Sequence, residues 1–203
     1  VAIGRDADAN GDNSFALGAF SEAGVSGVAI GDQSKAIGQN SVALGRFGSA
    51  GGDDSFAMGL NADASARNAV AIGRGTVANG ANSFALGAFS QASVSGVAIG
   101  NQSQATGQTA IALGRFGSAG GDNSVAMGLN ADASAINAVA IGRGAVANGG
   151  NSFVLGAFSQ AGANGVAIGA QSQATGLASL ALGRKASAIS QNSVAIGRNA
   201  SAD

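Results

Sequence analysis

The 203-residue sequence contains no cysteine, histidine, tyrosine, tryptophan or proline. Without cysteine there is no disulfide scaffold and no thiolate metal site, and without histidine as well the usual general bases, nucleophiles and metal ligands are missing. Charged residues make up only 10% of the chain and the net charge is −1, so no overall field favours nucleic acid or an anionic membrane. No apolar run approaches the ~20 residues of a membrane-spanning helix. We therefore predict a protein that is not an enzyme and that uses no cofactor, no metal and no nucleic-acid partner.

Glycine, by contrast, is abundant, with 35 residues, and much of it marks a tandem repeat. A phrase of the form apolar–Ala–apolar–Gly occurs fifteen times, once with Val154 in place of alanine. Its final residues, the phrase glycines, are Gly4, Gly18, Gly31, Gly45, Gly59, Gly73, Gly87, Gly100, Gly114, Gly128, Gly142, Gly156, Gly169, Gly183 and Gly197. They follow one another at intervals of 13 or 14 residues, and such a short fixed period indicates a solenoid whose coils bury apolar residues by stacking.

Each coil is predicted to hold two short strands, because its apolar residues alternate with a spacing of two. In the phrase Val70-Ala71-Ile72 we predict that the bulky aliphatics point into the core and that the alanine points away from it. The second strand follows the phrase glycine and is predicted to face the first with small side chains, including an alanine five positions after the glycine in all fifteen coils. Phenylalanines that replace the first aliphatic are likewise predicted to be core residues, namely Phe15, Phe56, Phe84 and Phe153.

A longer repeat, the cassette, spans five coils. The segment Ser14–Ser21 returns as Ser83–Ser90 and, with one change, as Ser152–Ser159, a step of 69 residues. One coil of each cassette is a residue short, and we expect a tightened turn there with an unusual backbone supplied by Gly27, Gly96 and Gly165. Residues 1–203 are predicted to form a single repeat array that is a fragment of a longer protein.

The alanine between the two aliphatics recurs in fourteen of the fifteen phrases. In the predicted orientation these alanines form a continuous outward stripe, which favours close self-association about a symmetry axis. The alternative is that alanine is simple filler on a repetitive surface. The predicted interface residues are Ala29, Ala43, Ala57, Ala71, Ala98, Ala112, Ala126 and Ala140.

The phrases Asn40–Gly45 (NSVALG) and Asn192–Gly197 (NSVAIG), together with strands such as Ser34–Gly38 (SKAIG), resemble the head repeat of the trimeric autotransporter adhesins, the YadA-like family. The resemblance covers the whole chain. It implies an all-β fold, a left-handed parallel β-roll (a β-solenoid) assembled as a homotrimer. It also implies display on the bacterial cell surface, with anchoring in the outer membrane through a C-terminal region that is absent from this sequence.

Two surface features are candidates for ligand binding. Arginine often follows the phrase glycine, which predicts an intermittent basic line, and phenylalanine often stands one residue later. Exposed aromatic side chains beside arginine suit an adhesive surface. The predicted ligand-binding residues are Phe20, Phe47, Phe89, Phe116, Phe158, Arg46 and Arg115. Two alternatives stay open: the arginines could pair with carboxylates or a neighbouring protomer, and the rings could fold over a turn or fill a groove between protomers.

The only adjacent carboxylates, Asp53 and Asp54, are predicted to be solvated turn residues rather than a calcium site. We predict a cell-surface adhesin head that attaches bacteria to extracellular matrix proteins, host cells or other surfaces through multivalent contacts. The alternatives are a passive structural spacer that projects another binding domain, and a trimeric phage or secreted fibre with the same roll.

Overall fold

The computed structural model describes residues 1–203 and consists of strands joined by turns. It divides into two compact units, Val1–Gln102 and Ser103–Asp203. None of its segments is a helix long and apolar enough to cross a membrane. The strands of the first unit are β1 (Ala2–Ile3), β2 (Asp8–Ala9), β3 (Phe15–Leu17), β4 (Glu22–Ala23), β5 (Val28–Ile30), β6 (Lys35–Ala36), β7 (Val42–Leu44), β8 (Ser49–Ala50), β9 (Phe56–Met58), β10 (Asp63–Ala64), β11 (Val70–Ile72), β12 (Val77–Ala78), β13 (Phe84–Leu86), β14 (Gln91–Ala92) and β15 (Val97–Ile99). The strands of the second unit are β16 (Gln104–Ala105), β17 (Ile111–Leu113), β18 (Ser118–Ala119), β19 (Val125–Met127), β20 (Asp132–Ala133), β21 (Val139–Ile141), β22 (Val146–Ala147), β23 (Phe153–Leu155), β24 (Gln160–Ala161), β25 (Val166–Ile168), β26 (Gln173–Ala174), β27 (Leu180–Leu182), β28 (Ser187–Ala188), β29 (Val194–Ile196) and β30 (Ser201–Ala202).

Each unit is a parallel β-solenoid in which every coil contributes one strand to each of two sheets, so the predicted β-solenoid is confirmed. Sheet A consists of the odd-numbered strands, which carry the phrase, and sheet B consists of the even-numbered strands. Each strand pairs in parallel with the equivalent strand of the next coil in its unit. Val70, for example, lies beside Phe56 on one side and Phe84 on the other. The pairing has the period of the sequence repeat, which stacks equivalent positions on one another.

The core of each coil contains small side chains, and the predicted orientation of the phrase is wrong. Ala71 is fully buried between the two sheets. Apart from Val154 and Thr76, no fully buried side chain is larger than serine. Alternation decides which residues share a face but not which face is inside, and the space between the two sheets holds almost only alanine and serine, with valine once, at Val154. The predicted interface alanines have no exposed surface with which to contact a partner, which corrects that assignment for Ala29, Ala43, Ala57, Ala71, Ala98, Ala112, Ala126 and Ala140.

The bulky residues of the phrase lie on the outer face of sheet A. Val70 and its equivalents are partly buried by neighbouring strands. The last apolar residues of the phrases, such as Leu17, Ile30 and Met58, expose 36–40% of their surface. Each unit therefore presents one continuous apolar face that the single chain leaves uncovered. The phenylalanines predicted to be core residues lie on this outer face instead, at Phe15, Phe56, Phe84 and Phe153.

Two turns close each coil. The glycine turn follows the phrase glycine and leads from sheet A to sheet B, and the asparagine turn leads from sheet B to the next phrase. In a 14-residue coil the strand of sheet B ends in a bulge, in which the N–H groups of Ile37 and Gly38 both donate to the carbonyl oxygen of Ala50, at 3.1 and 3.3 Å. The bulge residue points outward and is exposed.

The 13-residue coils lack this bulge. Gly24 alone donates to the carbonyl oxygen of Ala36, at 2.8 Å, and the turn then closes one residue earlier. A Cβ on Gly27 would lie 2.6 Å from the same carbonyl oxygen, so glycine is required there for space. The positive φ falls on Ser26, Ser95 and Asn164. The prediction that the unusual backbone belongs to the following glycines is therefore wrong for Gly27, Gly96 and Gly165.

Candidate functional site

The glycine turn has the same backbone in every coil. The phrase glycine takes φ between 124° and 151°, and the second residue after it is left-handed, with φ between 52° and 61°. A Cβ on Gly45 would lie 2.5 Å from the carbonyl oxygen of Gly59 in the next coil, so no side chain fits at that position. The two residues that follow the phrase glycine are consequently held at the rim of the coil, outside its core.

Phenylalanine occupies the left-handed position in five coils. A bulky side chain at positive φ is a conformational outlier and costs about 1–3 kcal/mol, and such strain is concentrated at functional sites. These phenylalanines expose 39–51% of their surface, so their rings are not part of the core of the coil. The residues, with φ between 56° and 59°, are Phe20, Phe47, Phe89, Phe116 and Phe158.

An arginine covers each of these rings. The guanidinium carbon lies 4.7–5.0 Å from the ring centroid, which is the geometry of a cation–π contact. We call each pair a station. The stations are Arg5 with Phe20, Arg46 with Phe47, Arg74 with Phe89, Arg115 with Phe116, and Arg143 with Phe158. The structure thus places the predicted Arg46 and Arg115 on rings, and it adds three arginines that the sequence prediction did not include.

Two kinds of station occur. In one, the arginine directly precedes the ring, as in Arg46 and Phe47. In the other, it comes from the preceding coil: the N–H of Phe89 donates to the carbonyl oxygen of Arg74 at 2.9 Å, which sets the ring against Gly75. A Cβ on Gly75 would lie 2.8 Å from a ring carbon, so glycine makes the space in which the ring rests. Both kinds hold the guanidinium at a defined place on the turn.

Shallow grooves open beside two of the stations. The groove in the first unit runs past Phe20 and is lined by residues that include Gln33 and Lys35. The groove in the second unit runs past Phe158 and includes Gln171 and Lys185 in its lining. Phe20 and Phe158 hold the same position in their cassettes, as do Gln33 and Gln171, but the linings differ otherwise, because the first groove also contains Asp6, Asp8 and Glu22.

The basic residues are concentrated on the glycine turns. Eight of the ten lie one or two positions after a phrase glycine, at Arg5, Arg46, Arg74, Arg115, Arg143, Arg184, Lys185 and Arg198. The chain contains one ion pair, Lys35 with Glu22 at 3.7 Å, and it lies on sheet B. No arginine of a glycine turn therefore pairs with a carboxylate within the chain, which leaves these guanidinium groups available to a ligand or to another chain.

The acidic residues lie mainly on other surfaces. Asp53 accepts a hydrogen bond from the backbone N–H of Gln39 at 2.9 Å, and Asp54 accepts one from the side chain of Asn40 at 3.1 Å, so both brace the asparagine turn of the preceding coil. Burial raises the pKa of Asp63 on the outer face of sheet B, where a hydrogen bond from Ser65 partly offsets the effect. Burial likewise raises the pKa of its cassette equivalent, Asp132. No cluster of three or more potential metal-binding side chains is present.

Comparison with known proteins agrees with this architecture. A model described as the YadA head domain repeat matches residues 1–21, 23–47, 50–76, 64–90, 92–116, 119–145, 133–159, 161–186 and 188–203. A similar solved structure is the crystal structure of the collagen-binding domain of the Yersinia adhesin YadA, which is 34% identical and superposes with a TM-score of 0.54. That match covers 68% of this chain and 70% of the Yersinia chain. No curated protein sequence matches the chain significantly.

Proposed function

The chain belongs to the family of YadA head repeats and is an adhesin-type head, and on that premise we propose that its glycine turns attach bacteria to extracellular matrix proteins. The observation that carries the proposal is the set of strained, exposed phenylalanines, each held under an arginine. Folding alone does not favour a bulky ring at a left-handed position that asparagine or glycine fills without strain.

Repetition makes weak contacts effective. Each unit carries more than one station, at Phe20, Phe47 and Phe89 in the first and at Phe116 and Phe158 in the second. A ligand that engages one station meets the next at a high effective concentration, so avidity exceeds the affinity of a single site. Arginine is among the residues most enriched at the energetic centres of protein interfaces, and phenylalanine is enriched in interfaces generally.

We further propose that the head is a homotrimer whose protomers meet through the outer face of sheet A. That face carries the bulky residues of every phrase, and a continuous apolar surface of this kind is rarely left open to water. The bulky residues thus take the interface role that the sequence prediction gave to the alanines. Replacing Ile30, Ile72 and Ile141 with aspartate should yield monomers in sedimentation equilibrium; a monomeric unmodified chain would contradict the proposal.

We also propose that the head is displayed on the outer surface of a bacterium, with anchoring supplied by segments outside this sequence. Attachment to host cells or abiotic surfaces would use the same turns. The second candidate is a passive spacer that projects another binding domain, which the regular bracing of the coils would suit. The two candidates differ in a single respect, which is whether the exposed rings are needed for attachment.

The deciding experiment replaces the rings and leaves the turns intact. The variant carries asparagine at Phe20, Phe47, Phe89, Phe116 and Phe158. The matched control carries glutamine at Asn61, Asn130 and Asn199, which occupy the same left-handed position in other coils. We expect the ring variant, and not the control, to lose most of its binding to surfaces coated with collagen, fibronectin or laminin, while both keep the same circular dichroism. Equal binding by the two variants would favour the spacer.

A further inference from the structure

The two units carry charge of opposite sign, although the chain as a whole is nearly neutral. Residues 1–102 contain five basic and eight acidic residues, a net charge of −3, and residues 103–203 contain five basic and three acidic residues, a net charge of +2. All five basic residues of the second unit lie on its glycine turns, and no acidic residue lies there. They are Arg115, Arg143, Arg184, Lys185 and Arg198.

We propose that this basic row binds a linear sulfated polysaccharide; the proposal rests on the adhesive role of the glycine turns and names a ligand class for them. None of the five basic residues is in an ion pair. The guanidinium groups of Arg115 and Arg143 are held on rings, so less side-chain freedom is lost when they bind an anion. Arginine offers a sulfate or carboxylate paired N–H donors, which makes it well suited to that chemistry.

The spacing of the basic row suits a linear ligand whose anionic groups follow one another along its chain. Arg115 and Arg143 stand two coils apart, roughly 10 Å at the ~4.8 Å separation of neighbouring strands. Arg184, Lys185 and Arg198 follow within the same unit, on the last two coils. An extended sulfated polysaccharide carries its anions at intervals of a sugar ring or a disaccharide, and one ring advances the chain by about the thickness of one coil.

Nucleic acid fits the row less well. Duplex DNA places one charge every ~1.7 Å, far more densely than these cations are spaced. Proteins that bind single strands offer open aromatic faces on which bases stack, whereas guanidinium groups cover the rings of Phe116 and Phe158. The first unit offers a weaker row, because Asp6 shares a glycine turn with Arg5, and Asp32 lies on another glycine turn of the same unit.

The test measures binding of the 203-residue chain to heparin, to chemically desulfated heparin and to single-stranded DNA. The row variant carries glutamine at Arg115, Arg143, Arg184 and Lys185. Its charge-matched control carries glutamate at Gln104, Gln108, Gln160 and Gln191, which changes the net charge equally without touching the row. A second comparison replaces Arg5, Arg46 and Arg74 of the first unit with glutamine.

We expect the unmodified chain to bind heparin with an affinity that falls as salt rises, and to bind desulfated heparin weakly. The row variant should bind heparin roughly 100-fold more weakly, since each exposed charge contact contributes up to about fivefold. The charge-matched control and the first-unit variant should lose much less. The proposal is overturned if the row variant keeps its heparin affinity, if the charge-matched control loses as much, or if DNA binds as tightly as heparin.

Binding to matrix proteins separates this proposal from the proposed function. A row variant that loses heparin while the ring variant loses collagen, fibronectin and laminin supports both. If the ring variant keeps its matrix binding and heparin still requires the row, the matrix role fails and the polysaccharide site stands. If the ring variant loses its matrix binding and no variant affects heparin, the matrix role stands and the polysaccharide site fails.

Discussion

The two turns of each coil share a left-handed position and carry different residues there. Each holds one residue at a left-handed φ near 55° in nearly every coil. In the asparagine turn this residue is asparagine in nine coils out of fourteen, whereas in the glycine turn it is asparagine in three out of fifteen and phenylalanine in five. Asparagine tolerates this conformation and phenylalanine does not. The difference indicates that the asparagine turn is built for stability and that the glycine turn gives up stability for its surface.

Hydrogen bonds between coils support the same division. In the second unit the side chain of Asn123 donates to Asn137 at 3.3 Å, and Asn137 donates to Asn151 at 3.0 Å, so the asparagine turns form a ladder. The left-handed residues of the glycine turns form no such side-chain ladder, and five of them place rings under arginines instead. A coil therefore has one stabilising rim and one rim free to vary.

The largest effect should come from the glycines at the two rims of one coil. Gly45→Ala forces a Cβ to within 2.5 Å of the backbone of the next coil at φ 131°, and the strain persists however the coils shift. A Cβ on Gly52 in the asparagine turn would also meet backbone, 2.0 Å from the carbonyl oxygen of Ala66, but Gly52 has no positive φ, and alanine at the equivalent position 66 shows that a coil can adjust to admit this side chain. We expect Gly45→Ala to lower the free energy of unfolding by more than about 3 kcal/mol, and Gly52→Ala by about 1–2 kcal/mol, in urea titrations. Equal losses would contradict this account of the phrase glycine.

The next largest effect is expected when the left-handed residues of the two turns are exchanged. Asn68→Phe places a ring at positive φ and removes the 2.9 Å hydrogen bond to Asn82, so we expect a loss of about 1–2 kcal/mol. Phe47→Asn relieves strain and loses the contact with Arg46, and these opposing terms should leave the unfolding free energy within about 1 kcal/mol of its starting value. Thermal and urea unfolding measure both. A large loss for Phe47→Asn would mean that the ring serves the fold.

Much of the fold follows from the sequence because its period is also the period of strand pairing. The repeat predicts the two strands of each coil and the parallel register, as the stacking of Val70 on Phe56 shows. Which residues of the phrase face the core could not be predicted in the same way, because an alternating pattern does not say which of its two sets of side chains points inward. Only the narrow space between the sheets, which accepts Ala71 and excludes Ile72, decides which face turns inward.

The candidate site, like the fold, could be predicted from the sequence only in part. The position of Phe89 two residues after its phrase glycine places it on a turn, and its exposure follows. Its contact with Arg74 joins residues in neighbouring coils and depends on the space that Gly75 leaves, which no motif records. Stacking neighbouring coils in register brings the two together, so the alignment of the coils holds the signal and the local sequence does not.

A smaller effect on stability is expected from removing the hydrogen bonds of the asparagine ladder. Asn137 and Asn130 are both left-handed and exposed, but only Asn137, in the asparagine turn, belongs to the ladder. Replacing either with alanine removes a residue that tolerates positive φ, and Asn137→Ala also removes two exposed hydrogen bonds. We expect Asn137→Ala to destabilise the chain by about 0.5–1 kcal/mol more than Asn130→Ala, as judged by unfolding midpoints in urea. Indistinguishable midpoints would show that the ladder contributes nothing.

The smallest effect is expected from building a new station at Lys185, the cassette equivalent of Phe116, where the chain has no ring. Lys185 stands 69 residues after Phe116, directly behind Arg184, and has φ 59°, so the turn already has the geometry of the Arg115 station. In Lys185→Phe the new ring should lie under Arg184, and a double-mutant cycle with Arg184→Gln should give a coupling of about 0.5 kcal/mol. The cycle of Phe116→Asn with Arg115→Gln supplies the reference value. Coupling at Arg115 without coupling at Arg184 would mean that a station requires more than its turn, and that the surface of the glycine turn is less free to vary than its backbone.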